Sequence, residues 1–157
     1  MPPTPSLDVT AVIAAPSGLV LKAFFDPDAL GAWWQVARSV TTPRPLGPYA
    51  IEWTPTEFRD DILGRLGGVF RGTVVEWQPG EGFFVADAMW LPPDGDPIGP
   101  MAIEVTCSRH TWGTQLHVRQ SGYEEGERWR RYYELIGPGW NRALGLLKKL
   151  SERGSIA

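Results

Sequence analysis

Few side chains in this sequence have a type and spacing that could do chemistry. The two histidines, His110 and His117, fall in an expected turn and in mid-strand. They have neither helical spacing nor a cysteine pair beside them, so they do not read as metal ligands. Cys107 is the single cysteine, which excludes an intrachain disulfide and a cysteine-based zinc site. It falls on the apolar face of an alternating strand, where a thiol behaves as a small hydrophobe and not as a nucleophile. Pairing the neighbouring strands puts Glu104 opposite His117. That reads more simply as a cross-strand ion pair than as an acid–base dyad, which needs a cleft. Asp60 and Asp61 are adjacent and read as solvated charge in a loop. Asp87 lies inside an apolar strand. Its expected register sets it opposite Thr73 on the outer, solvated face; buried, it would gain a raised pKa and a catalytic role. Gly67-Gly68 precedes a strand and not a helix, so it is no phosphate loop, and no Gly-x-Ser-x-Gly elbow occurs. No catalytic residue, metal or cofactor is expected.

What remains is aromatic. Eight tryptophans are spread along the chain, with Trp33 and Trp34 adjacent. Trp is large, amphipathic and common in pockets and at binding surfaces. Each one alone reads as core filler; together they point to an aromatic-lined cavity.

The elements that would position these side chains follow from periodicity. Leu7, Val9, Ala11 and Ile13 alternate with polar residues, a half-buried strand. Leu19, Val20, Ala23 and Phe24 mark one face of a short helix. Asp26-Pro27 ends it and caps a second short helix running through Leu30, Trp33 and Trp34. Six strands follow, over 36–42, 49–53, 69–77, 83–91, 101–107 and 114–120, with Pro- and Gly-rich turns between most of them. Residues 55–68 read as a loop. From Glu124 onward, Trp129, Tyr133, Ile136, Trp140, Leu144 and Leu147 recur at helical spacing. Gly137-Pro138-Gly139 is expected to kink or break that helix. The fold class is α+β: a curved antiparallel sheet with its one apolar face covered by the long C-terminal helix.

Matching faces across hairpins puts Trp77 opposite Phe83, Val75 opposite Val85 and Phe70 opposite Trp90. One face then collects Phe70, Gly72, Val74, Phe84, Ala86, Ala88 and Trp90, and Trp77 and Phe83 lie on the other, outer face. In the next hairpin Val105 faces Leu116, Ile103 faces Val118 and Cys107 faces Thr114. The inner face is small at its centre and large at its ends, which leaves room either for a ligand or for close helix packing. The candidate ligand-binding residues are Trp34, Trp53, Phe70, Val74, Phe84, Ala86, Ala88, Trp90, Trp129, Tyr133, Ile136 and Trp140.

The chain has 157 residues and a net charge of −3. That length fits one domain, expected over residues 7–153, with a flexible N-terminus over 1–6 and a tail over 154–157. With no basic stripe, a nucleic-acid partner is not expected. Met1-Pro2-Pro3-Thr4-Pro5 lacks the features of a signal peptide, and no stretch has the length of a membrane helix. A cytoplasmic location without membrane insertion is expected.

Several runs, in order along the chain, are similar to one family. Ile13-Ala14-Ala15-Pro16, Ala23-Phe24-Phe25-Asp26-Pro27 and Leu30 through Trp33-Trp34 resemble its opening strand and helices. Gly72 to Pro79 resembles its Gly-x-Val-x-Glu-x-x-Pro strand and turn. Thr114 to Val118 with Ser121-Gly122-Tyr123 resembles a Thr-x-Leu-x-Leu strand and Gly-Phe step, and Gly139-Trp140-Asn141 its closing Gly-Trp helix. This is the activator-of-Hsp90-ATPase homologue 1-like branch of the START-like (SRPBCC) superfamily. The resemblance implies a helix-grip (START/Bet v 1-like) fold with a hydrophobic tunnel between sheet and helix, and a lipid- or polyketide-like apolar ligand. Some related members are cyclases or hydrolases. The expectation is therefore ranked: a small-molecule binder first, a cyclase- or hydrolase-type enzyme using the same cavity second, an Hsp90 co-chaperone third. A homodimer is admitted without a residue that argues for it. Pro138 inside the closing helix departs from the family pattern, and the Pro-rich loop from Pro92 to Pro100 is placed to shape the tunnel mouth.

Overall fold

The computed structural model describes residues 6–122 and 125–154. The N-terminus over 1–5, Tyr123 and Glu124, and the tail beyond 154 lie outside the described residues. The alternation at the start becomes β1 (Ser6–Ile13), followed by α1 (Ser17–Lys22) and α2 (Pro27–Trp33). Asp26 caps α2 by accepting from the Ala29 backbone N–H at 2.9 Å, with Pro27 in the first turn. Then come β2 (Arg38–Thr41), β3 (Pro48–Trp53), β4 (Arg59–Asp60), β5 (Gly64–Arg65), β6 (Gly68–Gln78), β7 (Gly82–Leu91), β8 (Ile98–His110), β9 (Gly113–Ser121) and α3 (Glu127–Glu152). Seven strands form one curved antiparallel sheet in the order β1-β9-β8-β7-β6-β3-β2. The fold is the α+β helix grip. Residues 55–68, expected to be a loop, instead carry the small β4–β5 ribbon.

Three carbonyls around the exit of α1 would be orphans, because a helix leaves its last C=O groups unpaired. Side chains from elsewhere supply the donors. Trp33 Nε1 donates to Ala23 O at 2.8 Å, the Tyr49 hydroxyl to Phe24 O at 2.8 Å and Thr41 Oγ1 to Phe25 O at 2.6 Å. Much of the tryptophan content is explained in the same way. Trp53 Nε1 donates to Trp34 O at 2.9 Å and Trp90 Nε1 to Gly67 O at 2.8 Å. An indole fills volume and closes a loose carbonyl at once.

The β6–β7 hairpin corrects the expected register. Trp77 does pair with Phe83 and Phe70 with Trp90, but between them Val74, and not Val75, faces Val85, and Thr73 faces Ala86. A bulge at each end of this stretch shifts the pairing by one residue and then restores it. A bulge adds one residue and so reverses the in–out alternation beyond it. Phe83 and Val85 therefore turn inward, with Phe83 only 4% exposed, while Phe84 and Ala86 move to the outer side. Trp77 also turns inward and stacks edge-on to Phe25 at 5.1 Å; it is no outer patch. Asp87 sits at the β7 bulge with φ of 54°, exposed to solvent, a conformation Asp tolerates better than most residues.

The β8–β9 hairpin is tighter than expected. Val105 pairs with Val118, Cys107 with Leu116 and Ile103 with Gln120. The slip is two residues, which preserves faces. It takes Glu104 away from His117 and gives it Arg119. His117 Nε2 instead lies 2.7 Å from Asp8 Oδ1, which also accepts from Arg119 Nε at 2.8 Å. This cluster lies on the outer face of the sheet.

The break expected at Pro138 does not occur: α3 is one helix of 26 residues. Pro138 is exposed, so the carbonyl it leaves unpaired one turn back is turned toward water instead of the core. The helix packs close to β1, α1 and α2. Its end is pinned there, with Lys148 Nζ donating to Val12 O at 2.9 Å and the Glu152 carboxylate accepting from the Ala14 N–H at 2.8 Å. None of the described helices is long and apolar enough to cross a membrane.

Candidate functional site

With α3 drawn to the β1 side, a gap remains between it and the opposite half of the sheet. The gap is a cavity of about 610 Å³. Trp53 of β3, Phe70 of β6, Trp90 of β7, Ile103 of β8 and Gln120 of β9 form its sheet side. Tyr132, Ile136, Gly139, Trp140 and Ala143 of α3 form its roof, and Trp33 and Trp34 close the α2 end. Gln35, Thr54 and Arg142, all exposed, stand at its mouth.

Trp34 organises the aromatic end. It is stacked on Trp33 at 4.9 Å, edge-on to Trp53 at 5.4 Å and tilted against Trp140 at 4.7 Å. The adjacency of Trp33 and Trp34 at the C-terminus of α2 places both rings at this end of the cavity, Trp33 buried and Trp34 half-buried. Across the cavity Trp90 stacks on Tyr132 at 5.2 Å. Rings in such contact lose few rotamers on binding a ligand and offer a firm apolar surface.

The β4–β5 ribbon supplies another wall, through Thr56, Leu63, Leu66 and Gly67. It is anchored by Asp60, expected to be solvated but only 4% exposed. Asp60 Oδ1 accepts from Arg131 Nε at 2.8 Å, and Oδ2 accepts from the backbone N–H of Ile62 and Leu63 at 3.1 and 3.0 Å. The Arg131 guanidinium foremost, then the two N–H groups, hold its carboxyl below the usual range despite burial. From the other side Asp94 accepts from Arg65 at 2.8 and 3.0 Å, and that pairing brings its pKa down to about 2. The Pro92–Pro100 loop thus braces the ribbon and does not itself line the cavity.

Six of the twelve expected ligand-binding residues line the cavity: Trp34, Trp53, Phe70, Trp90, Ile136 and Trp140. The other six do not. Val74 and Ala88 are fully buried under other side chains. Phe84 and Ala86 are on the outer side, turned there by the bulge. Gly72 is small for a different reason than a central void. A Cβ there would come within 2.7 Å of Val85 Cγ1 and 2.9 Å of Ala86 O, so glycine permits the close approach of β7. Trp129 stacks on Tyr133 at 6.4 Å, and the Tyr133 hydroxyl donates to Gly122 O at 2.6 Å; both are half-buried beside the cavity.

The wall residues missed from sequence include the polar ones, Gln120 and Tyr132 among them, as well as apolar residues such as Leu63, Leu66 and Ile103. Gln120, 2% exposed, alternates inward with Leu116 and Val118, a pattern that placed it in the core but gave no role. Tyr132 was passed over for its neighbour Tyr133, since both fit the helical period. Among the lining residues there is no Asp, Glu, His or Cys. Burial pushes the Tyr132 phenol well above its ordinary pKa, so it does not serve as a base near neutral pH. Cys107 is half-buried on the sheet away from the cavity, its thiol pushed up to about 11 by burial. Among the described residues no group of three His, Cys, Asp or Glu is placed to hold a metal ion.

No curated protein matches the sequence. Solved structures do. Protein CV1439 from Chromobacterium violaceum is 24% identical, over 96% of this chain and 99% of that one, with a TM-score of 0.66. Protein Ms6760 from Mycobacterium smegmatis is 19% identical over 94% and 90%, with a TM-score of 0.72. The Aha1 dimer from Colwellia psychrerythraea is 17% identical over 96% and 98%, with a TM-score of 0.66. At these identities the likeness is one of fold. Residues 14–152, nearly the whole chain, match the family described as Activator of Hsp90 ATPase homolog 1-like protein, and the chain belongs to that family.

Proposed function

We propose that the protein binds an apolar small molecule in the cavity between α3 and the sheet. One observation carries this reading: a space of about 610 Å³, walled by Trp34, Trp53, Phe70, Trp90 and Trp140, lies beside a core of large buried side chains. Interiors normally fill such space, and a concave apolar site with a few polar groups is the usual form of a ligand pocket. A cyclase or hydrolase acting in the same cavity needs a base on its wall, and the described lining residues include no Asp, Glu, His or Cys.

Uptake of N-phenyl-1-naphthylamine tests the proposal. Bright, saturable dye fluorescence with concurrent change in tryptophan emission is expected. A protein that takes up neither this dye nor a medium-chain fatty acid, and is empty by native mass spectrometry, overturns it. The dimer described for the Colwellia protein supports a second copy as a partner of this chain, which light scattering checks directly. The family's description supports a role with Hsp90. Faster ATP turnover by the chaperone on adding the purified chain would favour that role over small-molecule binding.

A further inference from the structure

The cavity wall carries one buried polar node, and its hydrogen bonds can be assigned atom by atom. Trp140 Nε1 donates to Gln120 Oε1 at 2.9 Å. An indole nitrogen only donates, so this contact fixes which end of the amide is oxygen. The amide nitrogen then faces the Tyr132 hydroxyl at 3.0 Å and Met101 Sδ at 3.3 Å. Its two N–H groups are both used. Tyr132 is thereby an acceptor toward Gln120, and its own O–H proton needs a separate partner. Among the described residues the Tyr132 hydroxyl makes no other hydrogen bond. The side chain is 6% exposed and lines the cavity, as does Gln120. A buried donor left unmade is costly, so the fold has kept one hydrogen bond in reserve on the wall of an apolar pocket.

From this we infer that the ligand carries an uncharged oxygen acceptor, such as a ketone, ester or ether oxygen, which receives the Tyr132 hydroxyl proton in a hydrogen bond. The acceptor is uncharged because the node has no cation. Its neighbours are Gln120, Met101, Trp90 and Tyr133. Arg142, the charged residue of the lining, is exposed at the mouth. A carboxylate brought to Tyr132 would lose its hydration without a counter-charge. The inference rests on the reading that the cavity takes an apolar molecule, and it narrows the class of molecule.

Diphenylmethane and benzophenone differ only by a CH2 in place of a C=O, and serve as the probes. Titrated into ¹⁵N-labelled protein and followed by amide shifts, benzophenone is expected to bind about 5- to 10-fold tighter, the worth of one net hydrogen bond. In Tyr132→Phe the two affinities converge. Trp140→Phe removes the donor that fixes the amide. Gln120 can then turn its oxygen to Tyr132 and absorb the spare proton, so the ketone preference shrinks there too. Melting curves establish that each variant is folded, and either variant alone decides the matter. Equal affinities in the wild-type protein, or a preference that survives in a folded variant, overturn the inference while leaving the apolar site standing. Binding of neither probe removes the apolar site and this inference with it.

Discussion

Arg131 reaches from α3 across the edge of the cavity to Asp60, Nε to Oδ1 at 2.8 Å, and this pair ties the roof of the cavity to its ribbon wall. Asp60 is buried and also holds two backbone N–H groups of its own turn. Removing one partner of a buried ion pair leaves the other uncompensated.

Asp60→Asn is therefore expected to loosen the ribbon more than the sheet. Losing charge-assisted hydrogen bonds costs about 2 kcal/mol, or roughly 5 °C in a domain of this size. Hydrogen exchange should quicken first at the amides of Ile62 and Leu63. An unchanged melting curve with unchanged exchange at those two amides would contradict the assigned role.

Acid should act through the same pairings. Asp60, Asp94, Asp8 and Glu152 all have carboxyls held below their ordinary range, by Arg131, Arg65, Arg119 and Lys148 respectively. A group whose folded pKa is depressed contributes stability above its unfolded pKa and loses it as pH falls through the folded value. With unfolded carboxylates near pH 4 and Asp94 near 2, the melting temperature should stay level from pH 7 to about 5 and fall steeply between about 4 and 2. Asp94→Asn should flatten part of that fall. A protein equally stable at pH 7 and pH 2.5 would show that these pairs contribute nothing.

The order of the main-sheet strands and helices, the faces of β8 and β9, and six of the twenty-one residues lining the cavity were legible in local pattern. The remainder depended on geometry that pattern does not carry. Two bulges in β6–β7 reverse the alternation, so Phe83 and Phe84 exchange sides although their neighbours in sequence give no sign of it. The helical period admits both Tyr132 and Tyr133, and only the docking of α3 on β1 selects Tyr132 for the interior. Asp60 looks like surface charge until Arg131, 71 residues away, is brought beside it.

Pro138 offers a test of how α3 tolerates an interior proline. It lies on the solvent side of an unbroken helix. Pro138→Ala restores one backbone hydrogen bond and removes the ring's clash with the preceding turn. The host–guest difference is about 3 kcal/mol, and since the helix has already adapted, a gain of about 1–2 kcal/mol is expected, read as a melting temperature several degrees higher. A lower melting temperature would mean the ring supports the fold through contacts with its neighbours.

Gly139 separates stability from binding. It lies on α3, lines the cavity, and an added Cβ there meets no heavy atom within 4 Å. Glycine in a helix interior costs about 1 kcal/mol relative to alanine. Gly139→Leu is expected to stabilise the helix while its side chain occupies the space of a ligand. Melting temperature should rise by a few degrees as dye affinity falls at least tenfold. Gly145 is the control: it is exposed on the same helix, equally free of neighbours and absent from the cavity wall. Gly145→Ala should raise the melting temperature similarly and leave dye binding alone. If Gly139→Leu stabilises the protein and binds dye as the wild type does, the ligand does not sit under α3.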